Sequence, residues 1–242
     1  MLSSGDKASI VLLYHRMGCP LVRSICSQQY IMPWMFRSQL RMLISNGYQP
    51  ARLASIVSNS RYATGHFAVT FDDGYENVGR LAYPILREMN VPATLFMVSS
   101  GVGKTNEWDQ RIGDRVEKML SLEMLREMDA NGFEIGSHTV NHAHLPQLAD
   151  DVLKLELEDS RKALEDMLGR PIPAFAYPFG EWDERVRQAT IDAGYEYAVS
   201  TIRGVVTPSM DKFTIPRVNI RWNNWGYLLS RKIRSAYARS RG

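Results

Sequence analysis

The 242-residue sequence predicts an α/β fold, a distorted (β/α) barrel of about seven strands that resembles a TIM barrel. Short apolar runs alternate with helical patterns along the whole chain, which is typical of parallel strands with helices outside. The length lies in the range of roughly 200–250 residues in which single α/β barrels occur. Polar clusters directly follow four of the strand candidates, as in barrels whose active-site residues lie at the carboxyl ends of the strands.

Seven short runs of apolar and β-branched residues predict the strands. In chain order they are 10–13, 67–71, 93–98, 133–136, 173–176, 197–200 and 213–215. Helices are predicted where apolar residues recur every three or four positions. They span 34–45, 76–89, 122–128, 150–168 and 184–193, with a closing helix from residue 222 onward. Residues 99–114 follow the third strand, and we expect them to form a loop over the catalytic face.

No internal repeat, low-complexity tract or linker divides the sequence. We therefore expect one domain over residues 1–242, with a core of about 10–220 and a basic segment at 222–242. No apolar run approaches the roughly 20 residues that a membrane span needs. The first residues lack the basic leader and the cleavage site of a signal peptide, which predicts a cytoplasmic location.

The net charge of +3 is modest, but basic residues are concentrated near the C-terminus. Segment 230–242 contains five Lys or Arg residues and no acidic side chain. It is either a solvated terminal helix or a segment with weak attraction to an anionic membrane surface. Nothing resembles a nucleic-acid-binding module, and the oligomeric state stays open. Cys19 and Cys26 are too few for a disulfide scaffold, and we assign them no chemistry.

Four polar clusters follow strand candidates directly. Since parallel strands of a barrel direct their carboxyl ends to one face, we expect the clusters to converge on one pocket. They are Tyr14-His15, Asp72-Asp73-Gly74, Ser137-His138 with His142 just beyond, and Tyr177–Gly180.

The Asp72-Asp73-Gly74 sequence has two interpretations. Asp-Gly is a common turn dipeptide, so alone it indicates only a turn. At the end of a strand, two adjacent carboxylates point in different directions. One of them can then bind a metal while the other stays available as a base.

The segment 138–144 contains three of the five histidines of the sequence. His138 and His142 are four residues apart and can turn toward one ion, whereas we expect His144 to be a neighbour. Two imidazoles and one carboxylate suit a catalytic, zinc-like site with open positions. Gly101–Thr105 looks like the end of a phosphate-binding loop, but the pattern needs glycine where the chain has Val98. We therefore predict no nucleotide cofactor.

Three of these segments, Thr70–Gly74, Ser137–His142 and Tyr177–Gly180, resemble the first three motifs of the polysaccharide deacetylases. This family is also called carbohydrate esterase family four, or the NodB homology domain. The resemblance runs over about 11–219 and implies a distorted (β/α) barrel. It also implies a metal-dependent hydrolase that removes N-acetyl groups from an N-acetylated sugar or polysaccharide and releases acetate.

Residue by residue, the resemblance implies that Asp73, His138 and His142 hold a divalent metal ion, usually Zn²⁺. Asp72 corresponds to the general base. Phe179 has the position whose backbone N–H helps to bind the oxyanion.

The sequence departs from the commonest branch of the family at two points. Ala176 stands where that branch has an arginine, and the absence of any histidine after His144 excludes its C-terminal acid histidine. The Tyr14-His15 pair instead resembles the poly-N-acetylglucosamine deacetylase branch, which implies that His15 is the acid. Arg217 is a candidate to replace the missing arginine.

Several alternatives stay open at this stage. The same scaffold serves O-acetyl esterases, deacetylases of non-sugar amides and inactive carbohydrate-binding homologues. Asp183 either supports a catalytic histidine or caps the helix predicted to begin at Glu184. Trp108, Trp182 and Trp222 either stack on sugar rings or pack within the fold. The sequence does not identify the sugar, its chain length or its linkage.

Overall fold

The computed structural model describes residues 7–19, 24–58 and 64–240. Its main sheet has seven parallel strands in one path and an eighth short strand beside them, and two further strands form a small parallel pair. The strands are β1 Ile10–Tyr14, β2 Arg16–Met17, β3 Tyr30–Ile31, β4 Gln49–Pro50, β5 His66–Phe71, β6 Ala93–Met97, β7 Glu134–Ser137, β8 Ala174–Ala176, β9 Tyr197–Val199 and β10 Val218–Asn219.

The described residues also form eight α-helices. They are α1 Pro33–Ser45, α2 Leu53–Ser58, α3 Tyr83–Met89, α4 Glu107–Arg111, α5 Leu122–Ala130, α6 Asp150–Leu168, α7 Glu184–Asp192 and α8 Tyr227–Arg239. None of them is long and apolar enough to cross a membrane.

The strand order of the main sheet is β10-β1-β5-β6-β7-β8-β9, and β4 pairs with the start of β5. Parallel neighbours need a crossover between them, and the helices supply it. Strands β1 and β6 are buried throughout, so their sequences are continuous apolar runs rather than alternating ones. The curled sheet with its helices confirms the predicted distorted (β/α) barrel.

One segment after β9 connects the two edges of the curled sheet. Ile215 N–H donates to Ala198 O of β9 at 3.1 Å, and Ser200 N–H donates to Ile215 O at 2.9 Å. Three residues further on, Val218 pairs with Leu12 of β1. The barrel is therefore closed by this irregular segment instead of a direct β9–β10 ladder.

The predicted strand at 213–215 is wrong. Ile215 forms only an isolated bridge with Val199, and the last strand is β10. Pro216 explains the shift, because a proline has no N–H to donate to a ladder. Phe213 belongs to the turn in which Thr214 N–H donates to Asp211 O.

Three predicted boundaries also change. The helix predicted at 76–89 is divided into a π-helical turn, Val78–Ala82, and α3. Pro84 lacks the N–H of a regular helix, and such a residue commonly accompanies a local widening. The closing helix begins at Tyr227 rather than at residue 222, and the loop 99–114 contains the short helix α4.

Candidate active site

The predicted site residues lie at the carboxyl ends of neighbouring strands. His15 directly follows β1, and Asp72 directly follows β5. In the register of these strands Tyr14 is opposite Phe71, and Asp72 N–H donates to Tyr14 O at 3.0 Å. His15 and Asp72 therefore begin two adjacent loops on the same rim of the barrel.

Three buried side chains converge beside these loops. Asp73 Oδ1 lies 3.4 Å from His138 Nε2 and 3.3 Å from His142 Nε2. One donor atom from each residue lies within 4.8 Å of the other two. Two imidazole nitrogens and one carboxylate oxygen at this spacing form a donor set for a divalent metal ion, with positions left for water or substrate.

The hydrogen bonding of these residues fits a bound cation. His138 Nδ1 lies 2.7 Å from Ala176 O, which can only accept, so Nδ1 carries the proton and the Nε2 lone pair faces Asp73. Asp73 Oδ1 is buried and has no hydrogen-bond partner among the described residues. A cation between Asp73 and the two histidines would satisfy all three groups.

The backbone is strained where the cluster is formed. Asp73, Thr139 and His142 have φ values of 73°, 69° and 56°. Non-glycine residues in this left-handed region cost on the order of 1–3 kcal/mol each, and they concentrate at functional sites. Gly74 follows with a φ of 92°, and a Cβ atom there would lie 2.1 Å from Met97 Sδ. The positive φ therefore favours glycine at this position, and a larger residue would also displace the Met97 side chain.

A buried carboxylate supports the turn that carries the two histidines. Glu156 of α6 accepts hydrogen bonds from the N–H groups of Val140 and Asn141, both at 2.9 Å, and from Asn141 Nδ2 at 2.7 Å. His142 N–H donates to Thr139 Oγ1 at 2.9 Å. These bonds fix the turn between His138 and His142, so Glu156 positions both rings from outside the donor set.

Asp72 is bound by Arg217 through both of its oxygens. Nη1 and Nη2 of Arg217 each lie 2.7 Å from one oxygen of Asp72, and Nε donates to Ser200 O at 2.8 Å. Both side chains are buried. Burial alone would raise the pKa of Asp72, but the charge and hydrogen bonds of Arg217 outweigh this effect and lower it. Asp72 is therefore ionised near neutral pH.

His15 lies half-buried on the same rim, and its Nδ1 is buried without a hydrogen-bond partner among the described residues. Burial lowers the pKa of His15, although the charges of Asp73 and Asp72 oppose this shift. Because β1 and β5 are neighbouring strands, His15 shares the rim with Asp72 and Asp73.

Phe179 lies at the mouth of the cluster. Its φ of 59° bends the turn at 178–180, and its ring is 47% exposed. The ring centroid lies 4.5 Å from that of His142, edge to face, and 4.0 Å from that of His144 in a parallel stack. The Phe179 ring thus borders the space beside His142.

Comparison with known proteins identifies the family. The model of the family described as Polysaccharide deacetylase matches residues 60–198, which is more than half of the chain. The chain belongs to the polysaccharide deacetylase family. This membership agrees with the three motifs, and the buried Asp73, His138 and His142 cluster comes from the first two of them.

Two curated members of the family show the extent of the similarity. YxkH of Bacillus subtilis is 27% identical over 189 residues, which cover 76% of this chain and 63% of YxkH. The poly-beta-1,6-N-acetyl-D-glucosamine N-deacetylase of Staphylococcus aureus is 26% identical over 208 residues, which cover 81% of this chain and 69% of that protein. The chain therefore spans less than two-thirds of YxkH.

A solved structure of the family shows the same fold. The deacetylase PplD of Streptococcus pyogenes, solved in complex with acetate, is 25% identical with a TM-score of 0.78. The similarity covers 93% of this chain and 98% of PplD. Nearly the whole polysaccharide deacetylase fold of PplD is thus present here.

The structure shows where four other candidate residues lie in this deacetylase fold. Asp183 caps α7, because its Oδ1 accepts from Val186 N–H at 2.8 Å. His144 is half-exposed, with Nδ1 2.8 Å from Glu181 Oε2, and lies outside the donor cluster. Trp182 packs partly buried against the core. Trp108 stacks on His142, with 5.1 Å between the ring centroids.

A cleft of about 710 Å³ lies beside the donor cluster of this deacetylase fold. Its lining includes His142 with the Trp108 and Phe179 rings that contact it, together with Ile112 and His144. The cleft is large enough for more than one sugar ring, and its aromatic walls suit stacking on such rings.

The loop that carries Trp108 is anchored by a buried cation. Arg16 of β2 donates to Asp109 at 2.6 Å, to Asp114 at 2.8 Å and to Tyr75 Oη at 2.8 Å. Cys26 lies next to these two aspartates, and burial raises the pKa of its thiol to about 12. The thiol is therefore protonated near neutral pH.

Sequence reasoning missed Glu156 and Arg16. The sequence does contain a signal for a special role of Glu156, because this charged residue stands on the buried face of α6 next to Leu157, among positions occupied by apolar residues. Arg16 left none, since its partners Asp109 and Asp114 are more than 90 residues away in the chain.

Proposed function

We propose that this protein is a metal-dependent hydrolase that removes N-acetyl groups from an N-acetylated sugar or polysaccharide and releases acetate. One observation carries the proposal: an Asp/His/His donor set lies beside a second carboxylate that is ionised and held in place by Arg217. A metal site next to a fixed base is the arrangement that hydrolysis of an unactivated amide needs.

The donor set consists of Asp73, His138 and His142. A divalent ion held there, with Zn²⁺ the first expectation for this mixture of nitrogen and oxygen donors, supplies the Lewis acid that polarises the acetyl carbonyl and acidifies the attacking water. Thr139 and Glu156 keep the two rings in place through their bonds to the intervening turn.

Asp72 takes the proton of the attacking water in this proposal. The bidentate pair with Arg217 fixes the orientation of the carboxylate and keeps it ionised. As the acetyl carbonyl becomes tetrahedral, the Phe179 N–H donates to its developing negative charge. His15, on the rim next to Asp72, gives a proton to the departing amine. The products are acetate and a free amino sugar.

The first substrates to test are oligomers of N-acetylglucosamine. The Staphylococcus aureus relative is named for removing acetyl groups from poly-beta-1,6-N-acetyl-D-glucosamine, and the aromatic cleft beside His142 has room for neighbouring sugars. We therefore propose a polymeric or oligomeric N-acetylated sugar as the substrate class.

An acetate-release screen tests the proposal. Purified protein is incubated with N-acetylglucosamine monomer, with β-1,6 and β-1,4 oligomers, with O-acetyl esters and with non-sugar acetamides, each with and without chelator. We expect chelator-sensitive acetate release from an N-acetylated oligomer. Release from esters alone would favour an O-acetyl esterase, and release that is insensitive to chelator would contradict the metal assignment. No release from any substrate, with a full complement of metal, would indicate a binding homologue.

A further inference from the structure

The charges of this protein are segregated along the sequence. Residues 7–71 contain seven Lys or Arg residues and 212–242 contain eight, and neither segment has an acidic side chain. The intervening residues 72–211 hold 25 acidic side chains against 14 basic ones. The net charge of +3 is therefore the small difference between two basic segments and the acidic segment that separates them.

The two acid-free segments pack against each other. Strand β10 pairs with β1, and Tyr237 Oη of α8 lies 2.9 Å from Tyr48 Oη. Gln39 of α1 donates to Asn224 O at 2.6 Å. The exposed cations Arg41 of α1 and Arg231 and Arg234 of α8 therefore lie on the side of the barrel that these two helices form, the α1–α8 face. Arg16 and Arg217 are buried in ion pairs and do not belong to this face. An acidic side chain from outside the segments does reach α1, where Glu88 pairs with Arg37.

The loop 221–227 on this face exposes large aromatic side chains. Trp222, Trp225 and Tyr227 are 47%, 57% and 68% exposed. The Arg234 guanidinium lies 5.6 Å from the centroid of the Tyr227 ring, so cation and aromatic ring share one surface. Exposed Trp and Tyr beside basic residues are the side chains that proteins place at a lipid–water interface.

Lys232 of α8 is partly buried beside this surface. Lys232 Nζ donates to Asn224 Oδ1 at 2.7 Å. Burial, with the nearby charges of Arg203 and Arg221, lowers the pKa of Lys232 to about 8. An anion at this surface would relieve that repulsion.

A cleft of about 590 Å³ opens between α1 and α8 on the same face. Its apolar part is formed by Met42, Leu43 and Ile233, and its cations are Lys7 and Arg234. An apolar slot with cations at its edge complements an amphiphile that has a negative head group and a hydrocarbon tail.

We propose that the α1–α8 face, together with the aromatic loop 221–227, binds the surface of an anionic lipid bilayer. The cations attract the head groups, the aromatic rings enter the interfacial layer, and the α1–α8 cleft accepts part of a lipid. This proposal does not depend on the proposed deacetylase activity.

The same features favour a lipid surface over other polyanions or glycans. A neutral N-acetylated sugar gains little from a predominantly cationic surface. Nucleic acid would use the cations, but the apolar cleft would contribute nothing to binding a phosphate backbone. A bilayer uses the charges, the aromatic rings and the cleft together.

The position of the loop relates the surface to the site. The loop follows β10, and Ile220 N–H donates to Leu13 O at 2.8 Å, just before His15 in the chain. In contrast, Tyr237 Oη donates to Ala8 O, at the other end of β1. The α1–α8 face therefore runs along the side of the barrel up to the catalytic rim. Binding would bring that rim close to the bilayer.

Vesicle sedimentation of the full chain tests the proposal. The probes are vesicles of phosphatidylcholine alone and of phosphatidylcholine with about 30% phosphatidylglycerol, at about 0.1 M salt, where charges are screened beyond roughly 10 Å. We expect binding to the anionic vesicles and at least about tenfold weaker binding to the neutral ones. Each basic residue at such a surface contributes about fivefold in affinity. Arg231→Glu with Arg234→Glu should therefore weaken binding at least about 25-fold.

The matched control is Lys154→Glu with Lys162→Glu, an equal charge change on α6, on the acidic part of the chain. It should bind anionic vesicles within about twofold of the unmodified protein, since it lies off the proposed surface. Trp225→Ala with Tyr227→Ala should weaken binding while leaving thermal stability unchanged, because these rings are exposed. Acetate release from a soluble substrate should be the same in all three double variants.

Three outcomes would overturn the proposal: no binding to anionic vesicles, equal binding to neutral and anionic vesicles, or an equal loss in the α6 control. Binding of the aromatic loop to N-acetylglucosamine oligomers without any vesicle binding would identify a glycan surface instead. Loss of acetate release with vesicle binding intact would bear only on the proposed enzymatic activity.

Discussion

Arg217 binds both oxygens of Asp72 at 2.7 Å although the two residues are 145 positions apart in the chain. The pair is buried, and the guanidinium also bonds Ser200 O and Thr70 Oγ1. We propose that Arg217 takes the role of the arginine that the commonest branch of the family carries at the position of Ala176. Its positive charge comes from the segment that closes the barrel between β9 and β1, because the third motif has no arginine.

Replacing Arg217 should affect the base without removing the metal. Arg217→Lys keeps a charge but cannot bind both oxygens, so we expect kcat to fall at least about tenfold with metal content unchanged. Arg217→Met leaves Asp72 buried without a partner and should cost about 3–5 kcal/mol of unfolding free energy. The exposed Arg203→Met is the control in denaturant unfolding. Equal effects of the variants at 203 and 217 would contradict the proposed pairing.

The two adjacent aspartates should have different phenotypes. Asp73→Asn removes a charged donor and should reduce metal content and acetate release together. Asp72→Asn should retain the metal and lose about 10²–10⁴-fold in turnover, because only the base is removed. Metal analysis of freshly purified protein, paired with an acetate assay, separates the two. Loss of metal in both variants would mean that Asp72 is also a ligand.

His15→Ala tests the proposed acid. Departure of an amine needs a proton, so we expect about a 10²–10⁴-fold loss on an N-acetylated sugar. An activated acetate ester, whose leaving group departs without that proton, should lose much less. His66, at the amino end of β5, is the control histidine. Full amide turnover by His15→Ala would exclude His15 as the acid.

Glu156→Gln should weaken metal binding without changing any donor atom. A carboxamide cannot accept all three hydrogen bonds that Glu156 receives from the turn after His138, so the rings lose their fixed positions. Loss of such support typically costs about 10–100-fold in metal affinity. Titration with a competing chelator measures it. Glu158→Gln, an exposed position on the same helix, should have no effect, and an unchanged affinity in Glu156→Gln would refute the supporting role.

The Arg16–Asp114 pair should make stability sensitive to acid. Burial raises the pKa of Asp114, but hydrogen bonds from the Arg115 N–H and from Arg16 outweigh this and lower the pKa to about 2. A carboxyl group with a lowered pKa in the folded state stabilises it above the unfolded pKa of about 4. Its contribution of about 2 kcal/mol is lost as the pH falls to 2.

Denaturant unfolding between pH 5 and about pH 2 checks this relation. Asp114→Asn should be less stable than the unmodified protein at pH 5. The two stability curves should then converge as the pH approaches 2. A constant difference over the whole range would show that ionisation of Asp114 contributes nothing.

Much of the fold and of the candidate site could be predicted from the sequence. Parallel strands bury both faces, so β1, β5 and β6 leave apolar runs that are visible without a structure. A site at the carboxyl ends of the strands places polar residues directly after those runs. Asp72, Asp73 and His138 stand in such positions, and the family resemblance implies their separate roles.

Contacts between distant segments depended on the tertiary structure. The strand predicted at 213–215 is wrong because local composition does not show which residues pair with a neighbouring strand. Pro216 has no N–H to donate, so the pairing begins after it, in β10. The support from Glu156 and the anchoring of Trp108 through Arg16 likewise depend on where distant elements meet.

The sequence by itself determined the barrel class, the metal-donor candidates and the lack of a histidine after His144, because each of these depends only on local pattern or composition. Only the tertiary structure decided that Arg217 binds Asp72 and that α1 and α8 bring their cations to one side of the barrel. Both depend on how the chain closes the barrel between β9 and β1. The hydrogen bonds of this closure join residues that are far apart in the chain, so no local sequence pattern predicts them.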